Sequence, residues 1–348
     1  MLEQEILSRQ QNNEITVLLW QNQDSVVIGK GQNPWCEANL PWLVANGIPL
    51  LRRHSGGGAV FHDLGNLNFS LIMPRSLFSQ TIATHLVCDL LNAHWDINAR
   101  VNERNDIVVN LSRGECKFSG SAYRYTRDKC LHHGTLLVNA DLARLRQSLT
   151  PMGLPLKAKG IASRRSHVTN LADLTPKLDI PSLVHTLNVG FQDYFSGIGS
   201  VTQARLTEGQ LLAADDARIE ESREWSWIYG RTPGFEHILD GVMNGQPLSG
   251  RLQVNHGCIQ SLALTSPDGS GAMAEQLSHC LAGCRYDRQS VRQRLEGFDN
   301  GHTTKSACSG AEPVTTLTIA EIIEWVMEQI PGGAIPPQTR QEGCHARG

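Results

Sequence analysis

The stretch Leu50–Ile72, LLRRHSGGGAVFHDLGNLNFSLI, sets three consecutive glycines between two apolar runs, with Arg52 and Arg53 on one side and His62 and Asp63 on the other. Both flanks read as strands, and in the second Asn66 and Asn68 fall two apart, on one face of a sheet. Polar groups on a sheet face beside a glycine loop suit hydrogen bonding to a ligand. Glycine has no Cβ, so Gly56-Gly57-Gly58 lets main-chain N–H groups come close to a bound group, phosphate included. A plain hairpin turn uses the same residues. The run is not a P-loop, because no Gly-Lys-Ser/Thr follows, and it is not the GxGxxG of a dinucleotide fold. Arg52 and Arg53 are successive strand residues and point to opposite faces, so one can reach the ligand side. No serine or cysteine nucleophile motif accompanies His62 and Asp63, which therefore read as positioning groups or a polar turn.

Outward from this stretch, residues 2–12 read as a helix, and ITVLLW (Ile15–Trp20) and SVVIGK (Ser25–Lys30) as the two arms of a hairpin. Pro34–Asn46 reads as one helix with proline in its first turn and Gly47 just past its end. A helix is predicted over Thr81–His94, and strands over Asn105–Val109, Cys116–Tyr125 and Leu131–Asn139. Single helices set between runs of strand imply an α+β fold with a mixed sheet, not a strict βαβ alternation. After Thr150 the chain turns basic and loop-like, with Lys157, Lys159, Arg164 and Arg165 among Pro, Gly and Ser, a mobile-loop candidate. Helices resume over Ile180–Tyr194 and Thr207–Ser222. From Trp225 the texture changes, with strands over Gly250–Asn255 and Cys258–Thr265 and helices over Ala272–Cys284, Asp287–Glu296 and Ile319–Gln329. A boundary near 222–226 divides a large domain, 1–222, from a small α+β domain, 223–330. Residues 331–348 are expected to be a disordered tail, and no internal repeat is present.

The totals agree with a large and a small soluble domain: 348 residues, 40% hydrophobic and 19% charged. No apolar run approaches the roughly 18 residues of a membrane span, so no membrane partner is expected. A formal charge of -3 argues against a nucleic-acid surface while leaving room for a local basic patch. Nine cysteines without paired CxxC spacing, behind an N-terminus without a signal-peptide pattern, imply a reducing, cytoplasmic setting. Cys280 and Cys284 could share a helix face, but no second pair completes a zinc site, and they read as buried thiols.

Two further segments carry chemistry. In NERNDIVVNLSRGECKFSGSAYR (Asn102–Arg124), Lys117 lies inside a strand ahead of Ser119-Gly120-Ser121-Ala122. An edge-strand lysine guarding against aggregation would look the same. A lysine facing a ligand would supply a compact charge to a phosphate or carboxylate. Cys116 must face the other way, which argues against thioester chemistry there. In LHHGTLLVN (Leu131–Asn139), His132 and His133 face opposite ways, so a joint metal site is not expected.

Five motifs stand in order: RRHSGGGAVFHDLGN, RNDIVV, KFSGSAYR, HHGTLLVNADL and KGIASRRSHVTNL. Together they resemble those of the bacterial lipoate-protein ligases, which share a fold family with biotin ligases and octanoyltransferases, and the resemblance covers about residues 1–300. It implies a two-step reaction. (R)-Lipoate and Mg-ATP give lipoyl-AMP and pyrophosphate; a lysine amine of an apo lipoyl domain then takes the lipoyl group and AMP leaves. The implied partners are the lipoyl domains of 2-oxoacid dehydrogenase complexes and the glycine cleavage H protein. By the same resemblance Lys117 matches the essential lysine, near both the carboxylate and the α-phosphate, where anion-on-anion attack needs a positive charge. Arg53 and Gly58, Ala59, Val60 and Phe61 match positions that hold ATP or the adenylate. Ser55, His62, Asn66, Asp106, Ser119, Ala122 and Thr135 match the rest of that pocket, and His133 and Trp20 join Lys117 around lipoate. Mg2+ is carried by ATP, and no protein metal site is assigned.

The resemblance also implies that Lys157–Arg165 orders over the adenylate near the acceptor, with basic residues facing acidic lipoyl domains. The C-terminal domain is similar to the small accessory domain of the ATP-using ligases. Family members carry another strand before the first helix, and its absence is expected here; the 299–313 segment and the tail also depart from the family. The alternatives are a lipoyltransferase that uses preformed lipoyl-AMP and a non-catalytic lipoate-binding relic. An octanoyltransferase fits less well, since it relies on a cysteine nucleophile elsewhere in the pocket.

Overall fold

The computed structural model describes residues 2–11, 13–198, 216–243, 245–265, 271–299 and 319–332. The chain begins with α1 (Leu2–Arg9), β1 (Thr16–Trp20), β2 (Ser25–Ile28), two short helices α2 (Pro34–Glu37) and α3 (Leu40–Ala45), β3 (Leu50–Arg52), β4 (Val60–His62) and β5 (Asn66–Pro74). It continues through α4 (Ile82–Trp95), β6 (Arg100–Val101), β7 (Ile107–Leu111), β8 (Gly114–Ser119), β9 (Ser121–Tyr125), β10 (Lys129–Leu137), α5 (Leu142–Ser148), β11 (Leu156–Ala158), α6 (Leu171–Leu174) and α7 (Ile180–Ser196). The rest comprises α8 (Asp216–Arg223), α9 (Trp225–Ile228), β12 (Phe235–Met243), β13 (Gln246–Asn255), β14 (Cys258–Thr265), α10 (Gly271–Leu281), α11 (Arg288–Asp299) and α12 (Ile319–Gln329). The mixed α+β class expected from sequence is the class observed.

Two compact units share these elements: residues 1–30, 49–149 and 163–223 form the first, and 31–48, 150–162 and 224–348 the second. The chain therefore passes between units five times, where the sequence suggested one boundary near 222–226. In the first unit an antiparallel sheet runs in the order β1-β5-β10-β9, beside the three-stranded sheets β3-β2-β4 and β6-β7-β8. Strand β5 organises the unit through its period of two. Leu67, Phe69, Leu71 and Met73 enter the core with Val87 and Leu91 of α4 and Leu183, Leu187 and Phe191 of α7. Asn66, Asn68 and Ser70 take the other face, where Ile72 packs with Leu131 and with Leu7 of α1. All nine β5 residues are buried. One strand thus feeds the core and floors a polar site.

Several local expectations change. The segments 15–20 and 25–30 do not form a hairpin: β1 pairs with β5, whereas β2 pairs parallel with β3 and antiparallel with β4. All four residues of β2 are buried, and a run apolar on both faces belongs inside a sheet, not on one arm of a half-wet hairpin. The single helix over 34–46 is two, because Ala38 is extended and the Asn39 side chain caps the second helix at the Trp42 N–H. Gly120 divides the strand expected over 116–125 and passes the chain from one sheet to another. In the first unit, residues 207–215 of the expected helix over 207–222 lie outside the described residues.

In the second unit the antiparallel sheet runs β11-β12-β13-β14. Leu156–Ala158, expected to be loop, pairs with Phe235–His237, so Lys157 projects from an edge strand. Strand β12 escapes a reading by pattern because polar residues and Gly241 interrupt its apolar run. A Cβ on Gly241 would stand 2.7 Å from Trp325 Nε1, so the glycine makes room for a neighbouring indole. Trp35, Tyr229, Phe235 and Tyr286 form the aromatic centre of this unit, and the Tyr286 hydroxyl bonds to His237 Nδ1 at 2.8 Å. Cys284 is buried and Cys280 half-buried, both as free thiols. Residues 300–318, most of the expected insert, and the tail from 333 lie outside the described residues.

Gly65 shows how tightly the polar end of β5 is held. Its carbonyl accepts from the Val138 and Asn139 N–H groups at 3.0 and 2.9 Å, and a Cβ on it would meet the Asn139 carbonyl oxygen at 2.0 Å. Gly65→Ala is therefore expected to lower the unfolding free energy by about 3 kcal/mol in urea titration. Gly47→Ala, at φ +62° with nothing within 4 Å, should cost only the ~1 kcal/mol of a left-handed alanine. Equal losses would refute this account of Gly65.

Candidate active site

The glycine loop connects β3 to β4 in the first unit and rests on Gly29, just past β2. A Cβ there would lie 2.3 Å from the Gly57 carbonyl oxygen, so only glycine lets the two backbones touch. Arg53 grips the loop from the inside. Its Nε donates to Ser55 Oγ at 3.0 Å and to the Gly56 carbonyl at 3.1 Å. Its Nη1 donates to the Val27 carbonyl at 3.0 Å, and its Nη2 to the Gly56 and Gly58 carbonyls at 2.6 Å each. In a trans peptide the N–H points opposite to the C=O. The Gly57 and Ala59 N–H groups are therefore turned away from the guanidinium. The Ala59 N–H donates to Ser163 Oγ at 2.9 Å, which brings the residue just before Arg164 and Arg165 onto the glycines. Gly57 has φ +85°, and a Cβ on it would meet Arg53 Nη2 at 3.0 Å and Ala122 Cβ at 3.3 Å. Arg52 faces the other way, is buried, and donates to the Gly29 and Lys30 carbonyls at 3.2 and 3.0 Å.

From Ser55 a partly buried polar chain crosses the floor of the site. Ser55 Oγ lies 2.7 Å from His133 Nε2, and His133 Nδ1 lies 2.8 Å from Glu3 Oε1. Ser70 donates to the same carboxylate oxygen at 2.5 Å and accepts from Trp20 Nε1 at 2.8 Å. Burial pushes the Glu3 carboxyl up, but the charge of His133 and hydrogen bonds from His133 and Ser70 outweigh it and hold the group at about 2. Burial pulls Arg53 down to about 10, against the attraction of Glu3, so it remains a cation at neutral pH. His62 is buried edge-on to Trp20, and its Nδ1 is 3.0 Å from the Asn22 amide nitrogen. Burial, then the charges of Arg53 and His133, hold it down to about 4. It is a neutral imidazole at pH 7.

Lys117 enters from β8. Its N–H donates to the His167 carbonyl and its carbonyl accepts from the Thr169 N–H, so 167–169 runs alongside it as a parallel bridge. Cys116 is buried in the core on the opposite face. Lys117 Nζ pairs with Asp106 Oδ1 at 2.8 Å, and the other Asp106 oxygen is 3.5 Å from Arg104 Nε. A Cβ on Gly120 would fall 2.8 Å from Lys117 Nζ, so the bare glycine is the ground over which the amine lies. The Gly120 N–H reaches Thr135 Oγ1 at 3.3 Å and its carbonyl accepts from the Thr135 N–H at 3.1 Å. Ala122, two residues on, meets Gly57. Gly120–Ala122 thus links the lysine to the glycine loop.

Of the residues singled out in the sequence, Arg53, Ser55, Gly58, Ala59, His62, Asn66, Asp106, Lys117, Ser119, Ala122, His133, Thr135 and Trp20 converge on this region through the contacts above, the β5 face or the Lys117 strand. Val60 pairs with Val27 at the loop's end, while the Phe61 side chain is buried on the far face of β4. Phe61 can therefore serve the site only through its backbone. Asn66 donates to Asn68 Oδ1 at 3.0 Å, and its own Oδ1, like Ser119 Oγ, is buried without a hydrogen-bond partner. Asp63 is a turn residue, its two oxygens taking the Gly65 and Asp141 N–H groups. Sequence reasoning missed Glu3, Gly29, Ser70 and Ser163. Two of them had a signal: Glu3 shares a helix face with buried Leu7, where an acid needs a partner, and Ser70 continues the Asn66, Asn68 face at period two. Among the described residues no three His, Cys, Asp or Glu side chains could together hold a metal ion, and no helix is long and apolar enough to cross a membrane.

Residues 1–192 match the family described as the lipoyl protein ligase A/B catalytic domain. Over 314 residues, 90% of this chain and 89% of the relative, the sequence is 33% identical to a Bdellovibrio bacteriovorus protein named lipoate-protein ligase A. Among solved structures, P. falciparum LipL1 in complex with lipoate aligns at a TM-score of 0.55 and 25% identity, over 91% of this chain and 88% of that one. A bipartite lipoate-protein ligase from Thermoplasma acidophilum, described with its E2 lipoyl domain, aligns at 0.52 and 25% identity, over 65% of this chain and 88% of that one. A lipoate-protein ligase A bound with ATP aligns at 0.50 and 26% identity, over 60% of this chain and 83% of that one.

The neutral state of His62 has a measurable consequence. Its folded pKa of about 4 lies below the ordinary 6.5, so the unfolded chain takes up a proton that the folded chain refuses. This contribution to stability is complete above pH ~6.5 and is lost as pH falls through ~4. Urea titrations should show a slope of up to ~1.4 kcal/mol per pH unit from this residue, about 3 kcal/mol in all. His62→Gln should flatten the profile by that amount, and an unchanged profile would show that His62 already carries its proton.

Proposed function

The chain belongs to the lipoyl protein ligase A/B family, and from that premise we propose that it is a lipoate-protein ligase whose two steps share the site around Lys117 and the glycine loop. The observation that carries this reading is the gathering, within the first unit, of a partly exposed lysine on β8, a braced glycine loop between β3 and β4, and buried unpartnered oxygens of Asn66 on β5 and Ser119 on β8. In the first step a lipoate carboxylate oxygen attacks the α-phosphorus of ATP. The Pα–O bond to the leaving pyrophosphate breaks, and lipoyl-AMP forms. Lys117 Nζ serves as the cation between the two anions, where charge gathers in the transition state. Outward-facing amides of the glycine loop, Gly57 first, serve the phosphate, and Arg53 acts by bracing the loop. Trp20 and the apolar strand residues beside it line the lipoyl chain, while Asn66, Ser119 and Thr135 offer polar groups to the adenylate. Mg2+ arrives on the phosphates of ATP and needs no protein metal site.

In the second step the ε-amine of an acceptor lysine attacks the carbonyl carbon of the mixed anhydride, loses a proton and displaces AMP. The acceptors are apo lipoyl domains, those of 2-oxoacid dehydrogenase complexes and the glycine cleavage H protein, in the cytoplasm. The exposed basic residues of 157–165 support their docking, since complementary charge steers encounter. The segment 1–222 is the catalytic portion in this reading, and 223–330 the accessory one.

With lipoate, ATP and magnesium, an apo lipoyl domain should gain the mass of one lipoyl group, with one pyrophosphate released per transfer. Lys117→Ala should slow both by about a thousandfold. Equal modification by wild type and Lys117→Ala would sink the catalytic assignment, and transfer from synthetic lipoyl-AMP without ATP-dependent pyrophosphate release would identify a transferase.

Arg164 and Arg165 are exposed. Reversing both to glutamate should cut the second-order rate of transfer by about tenfold at low salt and leave lipoate-dependent pyrophosphate release within twofold. Parallel loss of both steps would place these arginines at the nucleotide and not at the acceptor.

A further inference from the structure

We infer that Glu3 of α1 is a positioning residue for the glycine loop, acting through His133, Ser55 and Arg53. The inference rests on the proposed reading of that loop as the nucleotide-phosphate site.

Hydrogen-bond accounting fixes the direction of the chain. Arg53 Nε can only donate, so Ser55 Oγ accepts from it. Glu3 is ionised and can only accept, so His133 Nδ1 carries the proton that it gives to Oε1. In the imidazolium form, whose charge lowers the Glu3 pKa, Nε2–H donates to Ser55 Oγ; in the neutral form Nε2 bears a lone pair and takes the Ser55 hydroxyl proton at 2.7 Å. Every donor and acceptor in the string is then used once: Arg53 N–H to Ser55, Ser55 O–H to His133, His133 N–H to Glu3. The alternative tautomer leaves Nδ1 without a proton facing a carboxylate, and Nε2–H and the Ser55 hydroxyl competing across the same gap. Glu3 is thus what selects the tautomer. It is also a half-buried counter-charge that attracts Arg53 across this bridge.

The consequence lies at the loop. Arg53 sets the orientation of the Gly56 and Gly58 carbonyls, and hence of the Gly57 and Ala59 amides on the opposite edges of those peptides. Ser55 is one anchor of the Arg53 Nε. Without a fixed acceptor for its own proton the hydroxyl rotates, and that anchor loosens. The polar groups around His133 and Ser55 include Glu3 from α1, Arg53 from the loop, His62 from β4 and Ser70 from β5, while Ala122 of β9 stands opposite His133. Of these Glu3 is the only anion.

The test uses the full chain labelled with 15N-histidine and 15N-glycine. His133 should be the Nδ1–H tautomer in wild type and in Glu3→Gln, whose amide oxygen still accepts. In Glu3→Ala it should shift towards Nε2–H, the Gly56–Gly58 amide resonances should move, and the KM for ATP should rise about tenfold with kcat within threefold. Glu3→Gln should stay within about threefold of the wild-type KM. A retained Nδ1–H tautomer in Glu3→Ala, or a wild-type KM for ATP in that variant, overturns the inference. So does a loss in kcat alone. If Glu3→Ala does not fold, Glu3→Asp, one methylene short of His133, carries the same expectations. If the wild type releases no pyrophosphate, the proposed function fails separately. The tautomer and glycine resonances then decide the inference: movement in Glu3→Ala but not Glu3→Gln supports it, and stillness in both refutes it.

Discussion

The grip of Arg53 on the glycine loop is the constraint on which the rest of the site depends. A run of three glycines has more conformational freedom to lose than any other tripeptide, and nothing in its own side chains can hold it. Five hydrogen bonds from one guanidinium do so instead. They gather carbonyls from the loop and from Val27 of β2 around a cation. A planar fork with fixed N–H directions suits this task in a way a lysine ammonium does not. The cation is partly withdrawn from water, which would be costly if it were not surrounded by acceptors and in electrostatic reach of Glu3.

The second constraint is the two-sidedness of β5. Leucine, phenylalanine and methionine on one face are fastened into the core by α4 and α7, so the asparagines and serine on the other face cannot shift register without exposing that core. The polar side chains of the site thus inherit the rigidity of apolar packing behind them. The same logic holds on β10, where His132 is buried against Phe69 and Tyr123 while His133 faces the site. Burial holds the His132 imidazole at about 3, so the two adjacent histidines differ in role because they differ in side.

Much of this was legible in the sequence. Alternation in NLNFSLIM announced a strand with one polar and one apolar face, and the placement of Lys117 opposite Cys116 followed from the same period. The resemblance of five ordered motifs named the family and the fold class. What escaped reading was long-range or carried by backbone. The partners of β2 are strands reached across intervening sequence, so a turn-like Gln21–Asp24 suggested a hairpin that β5 and β3 outcompete. The passage of 31–48 into the second unit has no compositional mark, and the change of texture after Thr150 read as a loop and not as a crossing. Arg53 was expected to meet the nucleotide, but its reach to carbonyls depends on a loop path that no pattern encodes. Gly29 looked like the end of a strand, and only the approach of Gly57 gives it meaning.

Lys117 and Asp106 complete the picture of a site whose charges are all answered from within. The Lys117 side chain is 28% exposed, and its amine is 2.8 Å from the carboxylate. In a partly wet setting such a pair contributes little to stability, so its value is geometric. It holds a flexible four-carbon chain over Gly120, where the absence of a Cβ leaves room, and keeps the cation at the junction of the lysine strand and the glycine loop. An anion brought to that junction competes with one carboxylate, itself shared with Arg104. The Coulombic balance therefore favours exchange over a permanent ion pair: a doubly solicited Asp106 can release the lysine and keep a partner. Arg53 has no such freedom, since its bonds are to backbone that has nowhere to go. The site combines a cation bonded to backbone carbonyls, which shapes the loop, with one paired to a carboxylate that Arg104 also meets.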